Sequence, residues 1–271
     1  MALTTIGLMA LLGCFTGFMA GLLGIGGGMI ITPFLIMLIP SSLIPHEHIV
    51  HVAIATSLAT IAFTSLSSVR AHHKRGAVLW NVVASVAPGI LVGAVVGAQI
   101  AGWLPTFWLS LIFAAFVGFS AFKMFLNKSP RPDRNLPGTI GKFFMGIAIG
   151  ILSALVGAGG GFISVPWMIW CNVKMQNAVA TSAAFGFPIA LFGTIGYIIS
   201  GWNVSGLPPW PIDLGYICIP ALFSVAITSV LFAPLGAKVA HSIDTKPLKK
   251  IFACLLCFVC LYMIRRAYLA M

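Results

Sequence analysis

Long apolar runs without basic residues are the feature that most limits how this chain folds. No Lys or Arg precedes Arg70, and the other long stretches without them run from Arg75 to Lys123 and from Lys174 to Lys238. Each run can cross a bilayer, because a spanning helix needs about 20 residues. Charged residues make up only 7% of the chain, whereas soluble domains carry about 25%. The sequence therefore predicts an all-α integral membrane protein and excludes an ordinary soluble domain.

Hydrophobic runs separated by turn residues divide the chain into ten segments. They cover roughly 4–23, 28–43, 49–69, 79–101 and 106–126 in the first half, and roughly 140–156, 161–172, 177–200, 213–237 and 248–267 in the second. A linker rich in proline and basic residues separates the halves. We therefore expect one membrane domain made of a first repeat at 1–126, a cytoplasmic linker at 127–139 and a second repeat at 140–271.

Two sequence motifs occur in the same order in both halves. The matched pairs are Gly-Ile-Gly-Gly-Gly at 24–28 with Gly-Ala-Gly-Gly-Gly at 157–161, each followed at the same spacing by a proline (Pro33 and Pro166), and Ala-Ile-Ala-Thr-Ser at 53–57 with Ala-Val-Ala-Thr-Ser at 178–182. Such pairs indicate an internal duplication. Glycine in a helix interior costs stability, so we predict a glycine-rich break between the first two segments of each repeat.

The charges of the loops predict the orientation of the chain in the membrane. The loops at 70–75, 123–142 and 238–250 are basic, whereas those at 102–106 and 201–214 contain no Lys or Arg. Because basic loops stay in the cytoplasm, the first repeat should begin outside and end inside, and the second should do the reverse. Arg265 and Arg266 oppose this assignment, since it places the C-terminus outside. The repeats are thus predicted to have inverted topology, a recurrent architecture of transporters.

The two glycine-rich breaks are the first candidates for a binding site. A break exposes backbone N–H groups, the following helix adds the positive end of its dipole, and glycine lets a ligand approach the backbone. This chemistry suits a small oxyanion. The alternative is that the glycines only allow close packing of helices. The candidate substrate-binding glycines are Gly24, Gly26, Gly27, Gly28, Gly157, Gly159, Gly160 and Gly161.

Hydroxyl side chains in the apolar segments are the second set of candidates. Thr56, Ser57, Thr181 and Ser182 are expected to donate hydrogen bonds to the substrate without a buried cation. The alternative is that they bond to the backbone of their own helix. The remaining candidates are Pro33 and Pro166 as structural hinges, and His51, Gln176 and Asn177 as gate residues.

Acidic residues are too scarce for many kinds of membrane chemistry. The carboxylates are Glu47, Asp133, Asp213 and Asp244, and all of them fall in loops or at the ends of segments. Proton and sodium pumps commonly use carboxylates inside the membrane, so we expect no strong coupling to a cation. An intramembrane hydrolase would need a nucleophile with a base or a metal site, so we expect no enzyme.

We expect this protein to bind no nucleic acid, no metal and no cofactor. The net charge of +11 lies in loops and near the ends of the segments, where the positive-inside rule explains most of it without a nucleic acid. The run His46-Glu47-His48 with His51 looks like a metal site, but a solvated loop explains it equally well. We expect neither a metal nor a cofactor.

At the paired glycine motifs and the paired Ala-Thr-Ser motifs, the chain resembles the sulfite exporter TauE/SafE family of bacterial membrane permeases. The resemblance spans nearly the whole length and implies an anion permease of the inner membrane. Members are associated with sulfite, sulfonates such as sulfoacetate, and thiosulfate, in export and in uptake. The chain departs from its own repeat pattern at 40–50, where a longer connection adds histidines. An additional outer gate or lid is one interpretation of that insertion.

These observations together predict a transporter of small sulfur-containing oxyanions, working as an exporter or uniporter by alternating access. Its expected partners are the small anionic substrate and the lipid bilayer. The alternatives are an uptake permease for a carboxylate or an inorganic anion and, outside transport, a membrane scaffold or enzyme.

The predicted orientation can be tested by labelling single cysteines in a cysteine-free variant. Ser205→Cys lies in a loop without basic residues and should react with an impermeant maleimide added outside. Ala71→Cys lies in a basic loop and should react only when the inner face is exposed. Labelling of both positions from the same face would contradict inverted repeats.

Overall fold

The computed structural model describes residues 3–24, 27–40, 43–126, 135–208, 212–240, 242 and 246–268. Its regular elements are helices α1 (Leu3–Leu23), α2 (Gly28–Leu38), α3 (Ile49–His73), α4 (Trp80–Trp103), α5 (Thr106–Leu126), α6 (Thr139–Val156), α7 (Gly161–Trp170), α8 (Met175–Gly201), α9 (Ile219–Ala240) and α10 (Lys246–Tyr268), and strands β1 (Asp213–Leu214) and β2 (Ile217–Cys218). Every predicted segment overlaps one of these helices, which confirms the all-α class.

The ninth segment differs from its prediction at the N-terminal end. Residues 213–218 form an antiparallel hairpin, in which Asp213 pairs with Cys218, and α9 begins only at Ile219. Gly215 has a φ of +59°, which favours the hairpin turn over a helix. A strand of two residues is too short to show an alternating pattern in the sequence.

Eight of the described helices are long and apolar enough to cross a membrane. The helices α2 and α7 have 11 and 10 residues, so each spans about 15 Å at 1.5 Å per residue. That is about half of the 30 Å hydrocarbon layer. Each half of the chain therefore contributes four long helices and one half-length helix that follows the glycine-rich break.

Glycines bring α1 and α9 into backbone contact. A Cβ on Gly13 would lie 2.4 Å from the carbonyl oxygen of Val225, and one on Gly17 would lie 2.2 Å from that of Ser229. Because the contacting positions rise together along both helices, the two helices run parallel. Small residues at every fourth position allow this approach, which gives membrane helices their van der Waals contact.

The helices α4 and α6 pack in the same way. A Cβ on Gly93 would lie 2.3 Å from the carbonyl oxygen of Ile147, and one on Gly97 would lie 2.7 Å from that of Ile151. The first helix of each half thus packs along the fourth helix of the other half. The helices α3 and α8 pack against each other at the centre, α3 also contacts α9 and α8 contacts α4, and α5 packs on α10.

The close packing of α1 on α9 predicts a position-dependent effect of alanine. Gly17→Ala should lower the unfolding temperature of the purified protein, with a loss of about 1–3 kcal/mol, because the new Cβ overlaps the Ser229 backbone. Gly7→Ala is the control in the same helix, since nothing lies within 4 Å of its Cβ position. Equal unfolding temperatures for the two variants would show that this interface is not tightly packed.

Candidate functional site

The backbone adopts the same conformation in the two glycine-rich breaks. Gly24 and Gly157 end their helices with φ of +67° and +65°, and Gly27 and Gly160 precede the next helix with φ of +74° and +76°. These left-handed values favour glycine at all four positions. Gly159 and Gly161 are buried in the second break. Gly26, the remaining candidate, lies outside the described residues.

The two breaks meet at the centre of the helix bundle. A Cβ on Gly28 would lie only 1.8 Å from the carbonyl oxygen of Gly157 and 2.7 Å from Ile61, near the middle of α3. Gly28 therefore requires the absence of a side chain. The structure brings together the candidate glycines of both halves, although they are more than a hundred residues apart in the sequence.

Each break is tied to the other half by one serine of the Ala-Thr-Ser motifs. Ser57 donates a hydrogen bond to the carbonyl of Gly157 at 3.1 Å. Ser182 donates to the carbonyl of Gly24 at 3.0 Å. Both serines are fully buried. Each one satisfies a carbonyl that the end of the preceding helix leaves without an intrahelical partner.

The threonines of the same motifs accept backbone hydrogen bonds. The N–H of Cys218 donates to the hydroxyl oxygen of Thr56 at 3.0 Å, and the N–H of Leu79 donates to that of Thr181 at 3.0 Å. Cys218 directly precedes α9, and Leu79 directly precedes α4. Each threonine thus anchors the segment that leads into a fourth helix, a structural role that neither sequence alternative included.

The helices that follow the breaks begin without a side-chain cap. The cap positions are Gly27 and Gly160, and glycine has no side chain that could bond to the first N–H groups of the helix. The first backbone N–H groups of α2 and α7 therefore point into the protein interior at the positive ends of two helix dipoles. Pro33 and Pro166 lie inside these helices. Both lack an N–H, so each weakens its helix one turn after the break.

Two buried hydroxyl groups beside the second break have no hydrogen-bond partner among the described residues. They belong to Thr32 in α2 and Ser153 in α6. A Cβ on Gly157 would lie 3.0 Å from the hydroxyl oxygen of Thr32, and one on Gly160 would lie 3.3 Å from that of Ser153. The sequence analysis missed both residues. In the sequence, each is a hydroxyl residue near a glycine motif. Only the packing of the two breaks shows that both hydroxyls lie beside the second break.

Two of the candidate gate residues contact the segment that precedes a fourth helix. The ring of His51 stacks on the ring of Tyr216, which lies just before α9, with 5.1 Å between the ring centroids. The side-chain amide of Asn177 donates a 3.0 Å hydrogen bond to the carbonyl of Ala77, which lies just before α4. Gln176 is exposed at the start of α8 and is not brought to the cluster. His51 and Asn177 thus occupy corresponding places at opposite ends of the bundle.

The described carboxylates, Glu47 and Asp213, have different surroundings, since Asp213 is buried in the hairpin whose Cys218 bonds to Thr56. Glu47 is exposed, and its carboxylate lies 3.6 Å from His48. Burial raises the pKa of Asp213 in the hairpin to about 6, and the neighbouring Cys218 thiol only partly opposes this shift. In the described part of the chain, no group of three His, Cys, Asp or Glu side chains is arranged to hold a metal. The hydrogen bonds from the Ala-Thr-Ser motifs to the breaks come from neutral serine hydroxyls.

Comparison with known proteins shows similarity to membrane transporters along nearly the whole chain. A family model described as sulfite exporter TauE/SafE matches residues 9–263. A probable membrane transporter protein of Haemophilus influenzae is 34% identical over 261 residues, which cover 96% of this chain and 98% of the relative. One of Methanocaldococcus jannaschii is 27% identical over 265 residues, covering 95% and 94%. No solved structure shows a significant match. The names of these relatives specify no substrate.

Proposed function

This chain belongs to the sulfite exporter TauE/SafE family, and we propose that it carries a small sulfur-containing oxyanion across the bacterial inner membrane. Its family and its eight apolar spans make it a multi-pass membrane transporter. The proposed substrates are sulfite, sulfonates such as sulfoacetate, and thiosulfate. The sulfur class rests on the name of the family, whereas the preference for an anion rests on the chemistry of the breaks.

The observation that carries this proposal is that the start of α2 packs against Gly157, in the break that leads to α7, and that neither helix start has a side-chain cap. Backbone N–H groups at a helix start bind oxyanions, and the helix dipole favours their negative charge. The unpartnered hydroxyls of Thr32 and Ser153 add neutral donors at the same place. Neutral donors suit a substrate that must also leave, since a buried cation would hold it more tightly.

We infer inverted repeats from loop charge together with the contacts between helix ends. Arg75, in the basic loop after α3, donates to the carbonyl of Ala237 near the end of α9 at 2.7 Å. The Nε2 of His72 lies 3.1 Å from the carbonyl oxygen of Gly21, so α1 ends on this side as well. The helix α6 is parallel to α4, which begins on this side. With the basic side in the cytoplasm, α1 runs inward and α6 runs outward.

Alternating access follows from the paired contacts at the two ends of the bundle. The breaks touch at Gly28 and Gly157, so the anion binds between them only when they move apart. The stack of His51 on Tyr216 closes the outer side, and the bond from Asn177 to Ala77 closes the inner side. Opening one contact while the other stays closed exposes the centre to one face at a time.

A second function is an uptake permease for a carboxylate or an inorganic anion. The same backbone and hydroxyl donors would bind such an anion. A direct comparison of sulfoacetate with acetate and phosphate as inhibitors of transport separates the two functions.

The unpartnered hydroxyl of Thr32 provides the sharpest test of the central site. Thr32→Val removes a buried donor that has no described partner, so the folded state should keep its stability or gain some. If this hydroxyl binds the anion, the KM for sulfoacetate flux in proteoliposomes should rise roughly tenfold to hundredfold, the usual effect of losing one hydrogen bond to a charged group.

Ser110→Ala is the matched control for Thr32→Val. Ser110 is also fully buried and has no described partner, but it lies in α5, away from the breaks. Its loss should leave both the unfolding temperature and the KM unchanged. An unchanged KM in a well-folded Thr32→Val protein would exclude this hydroxyl from the substrate site.

A further inference from the structure

A cavity of about 800 Å³ opens at the end of the bundle opposite the basic loops. It is lined by His46, Glu47, His48, His51, Trp103 and Arg266, among others. We propose that this cavity, here called the outer vestibule, is a second binding site for a small oxyanion, separate from the breaks. The inference rests on the proposed function, since it makes the vestibule the outer waiting position of the transported anion.

Arg266 gives the outer vestibule a cation that no described carboxylate neutralises. One guanidinium nitrogen donates to Nδ1 of His46 at 3.1 Å. Glu47, the carboxylate of the same wall, lies instead 3.6 Å from Nε2 of His48, and no salt bridge joins Arg266 to a carboxylate of the described residues. Guanidinium carries five N–H donors in a planar fork that matches the oxygens of an oxyanion. The fork of Arg266 therefore has donors left for a ligand.

The position of Arg266 also needs an explanation that topology does not provide. In the proposed orientation, the end of α10 lies outside, where the positive-inside rule disfavours arginine. A role in attracting anions accounts for this exception. A cationic cleft raises the local concentration of anions and the rate at which they enter.

The floor of the outer vestibule separates it from the breaks. Tyr216 and His51 both line the cavity, stack on each other and are each only 3% exposed. The Nε2 of His51 lies 3.1 Å from the carbonyl oxygen of Ala101 and 3.0 Å from that of Leu104, which holds the ring at the end of α4. An anion held by Arg266 thus waits above a closed contact that also belongs to the proposed outer gate.

The longer connection in the first half supplies one wall of this site. His46, Glu47 and His48 all belong to the insertion at 40–50 that has no counterpart in the second half. The insertion was open to interpretation as an outer gate or lid. Its placement in the cavity wall assigns it to the binding of anions before they reach the gate.

Protection from labelling tests the outer vestibule directly. Phe107→Cys, which lines the cavity, is introduced into the full-length, cysteine-free protein and labelled in spheroplasts with a neutral, impermeant maleimide. Sulfoacetate and sulfate are added as the anion probes, because neither reacts with the reagent. We expect them to slow the labelling, and Arg266→Gln to raise the half-protecting concentration about tenfold, as expected for one charged contact.

Arg265→Gln is the matched control, since it removes the same charge at the same end of α10. Arg265 is exposed and is not among the residues lining the cavity. In the Arg265→Gln variant, the anion concentration that gives half protection should equal that of the parent protein. Equal shifts in the two variants, or no protection by either anion in the parent protein, would overturn the proposal.

Flux measurements distinguish failure of the outer vestibule from failure of the proposed function. Arg266→Gln should raise the KM for sulfoacetate entering from the outer face and leave the KM at the inner face unchanged. Flux that is unaffected by Arg266→Gln at both faces would overturn the vestibule while leaving the transporter intact. Protection by sulfoacetate without any flux in the parent protein would support the vestibule and contradict the proposed transport of this anion.

Discussion

A helix that breaks inside a membrane leaves backbone N–H and carbonyl groups that lipid cannot hydrogen-bond. In this protein, each half satisfies part of that need for the other. Ser57 and Ser182 donate to the carbonyls of Gly157 and Gly24 across the centre. The carbonyl groups are thus matched within the protein, while the N–H groups at the starts of α2 and α7 are left without a side-chain cap. The proposed anion site rests on this unequal satisfaction.

The sequence predicted the helices and the glycine breaks well because both depend on local signals. Apolar runs place the helices, and left-handed φ values at Gly24, Gly27, Gly157 and Gly160 require the residues that the motifs contain. Contacts between the halves were not predictable in this way. The role of Thr56 and Thr181 as donors to the substrate stays a prediction, but the sequence did not indicate that each accepts a backbone N–H from a segment distant in sequence. Thr32 is unremarkable until the second break packs beside it.

In the proposed function, the neutral donors at the breaks and Arg266 in the outer vestibule have different roles in binding the anion. Neutral donors bind without a permanent charge, so the membrane potential acts on the full charge of the substrate. One elementary charge crossing the membrane gains about 2.3 kcal/mol per 100 mV. An exported monoanion can therefore be expelled against a concentration ratio of roughly fortyfold without a coupled ion. The positive vestibule lies at the opposite face from the basic loops, where a released or arriving anion meets it.

Voltage-driven flux tests this account most directly. Proteoliposomes containing the protein and sulfoacetate are given an inside-negative potential with potassium and valinomycin, at equal pH and without sodium. The account predicts release of sulfoacetate at a rate that rises with voltage and with a current of the anion's sign. Flux that ignores voltage and follows only an imposed proton gradient would contradict it.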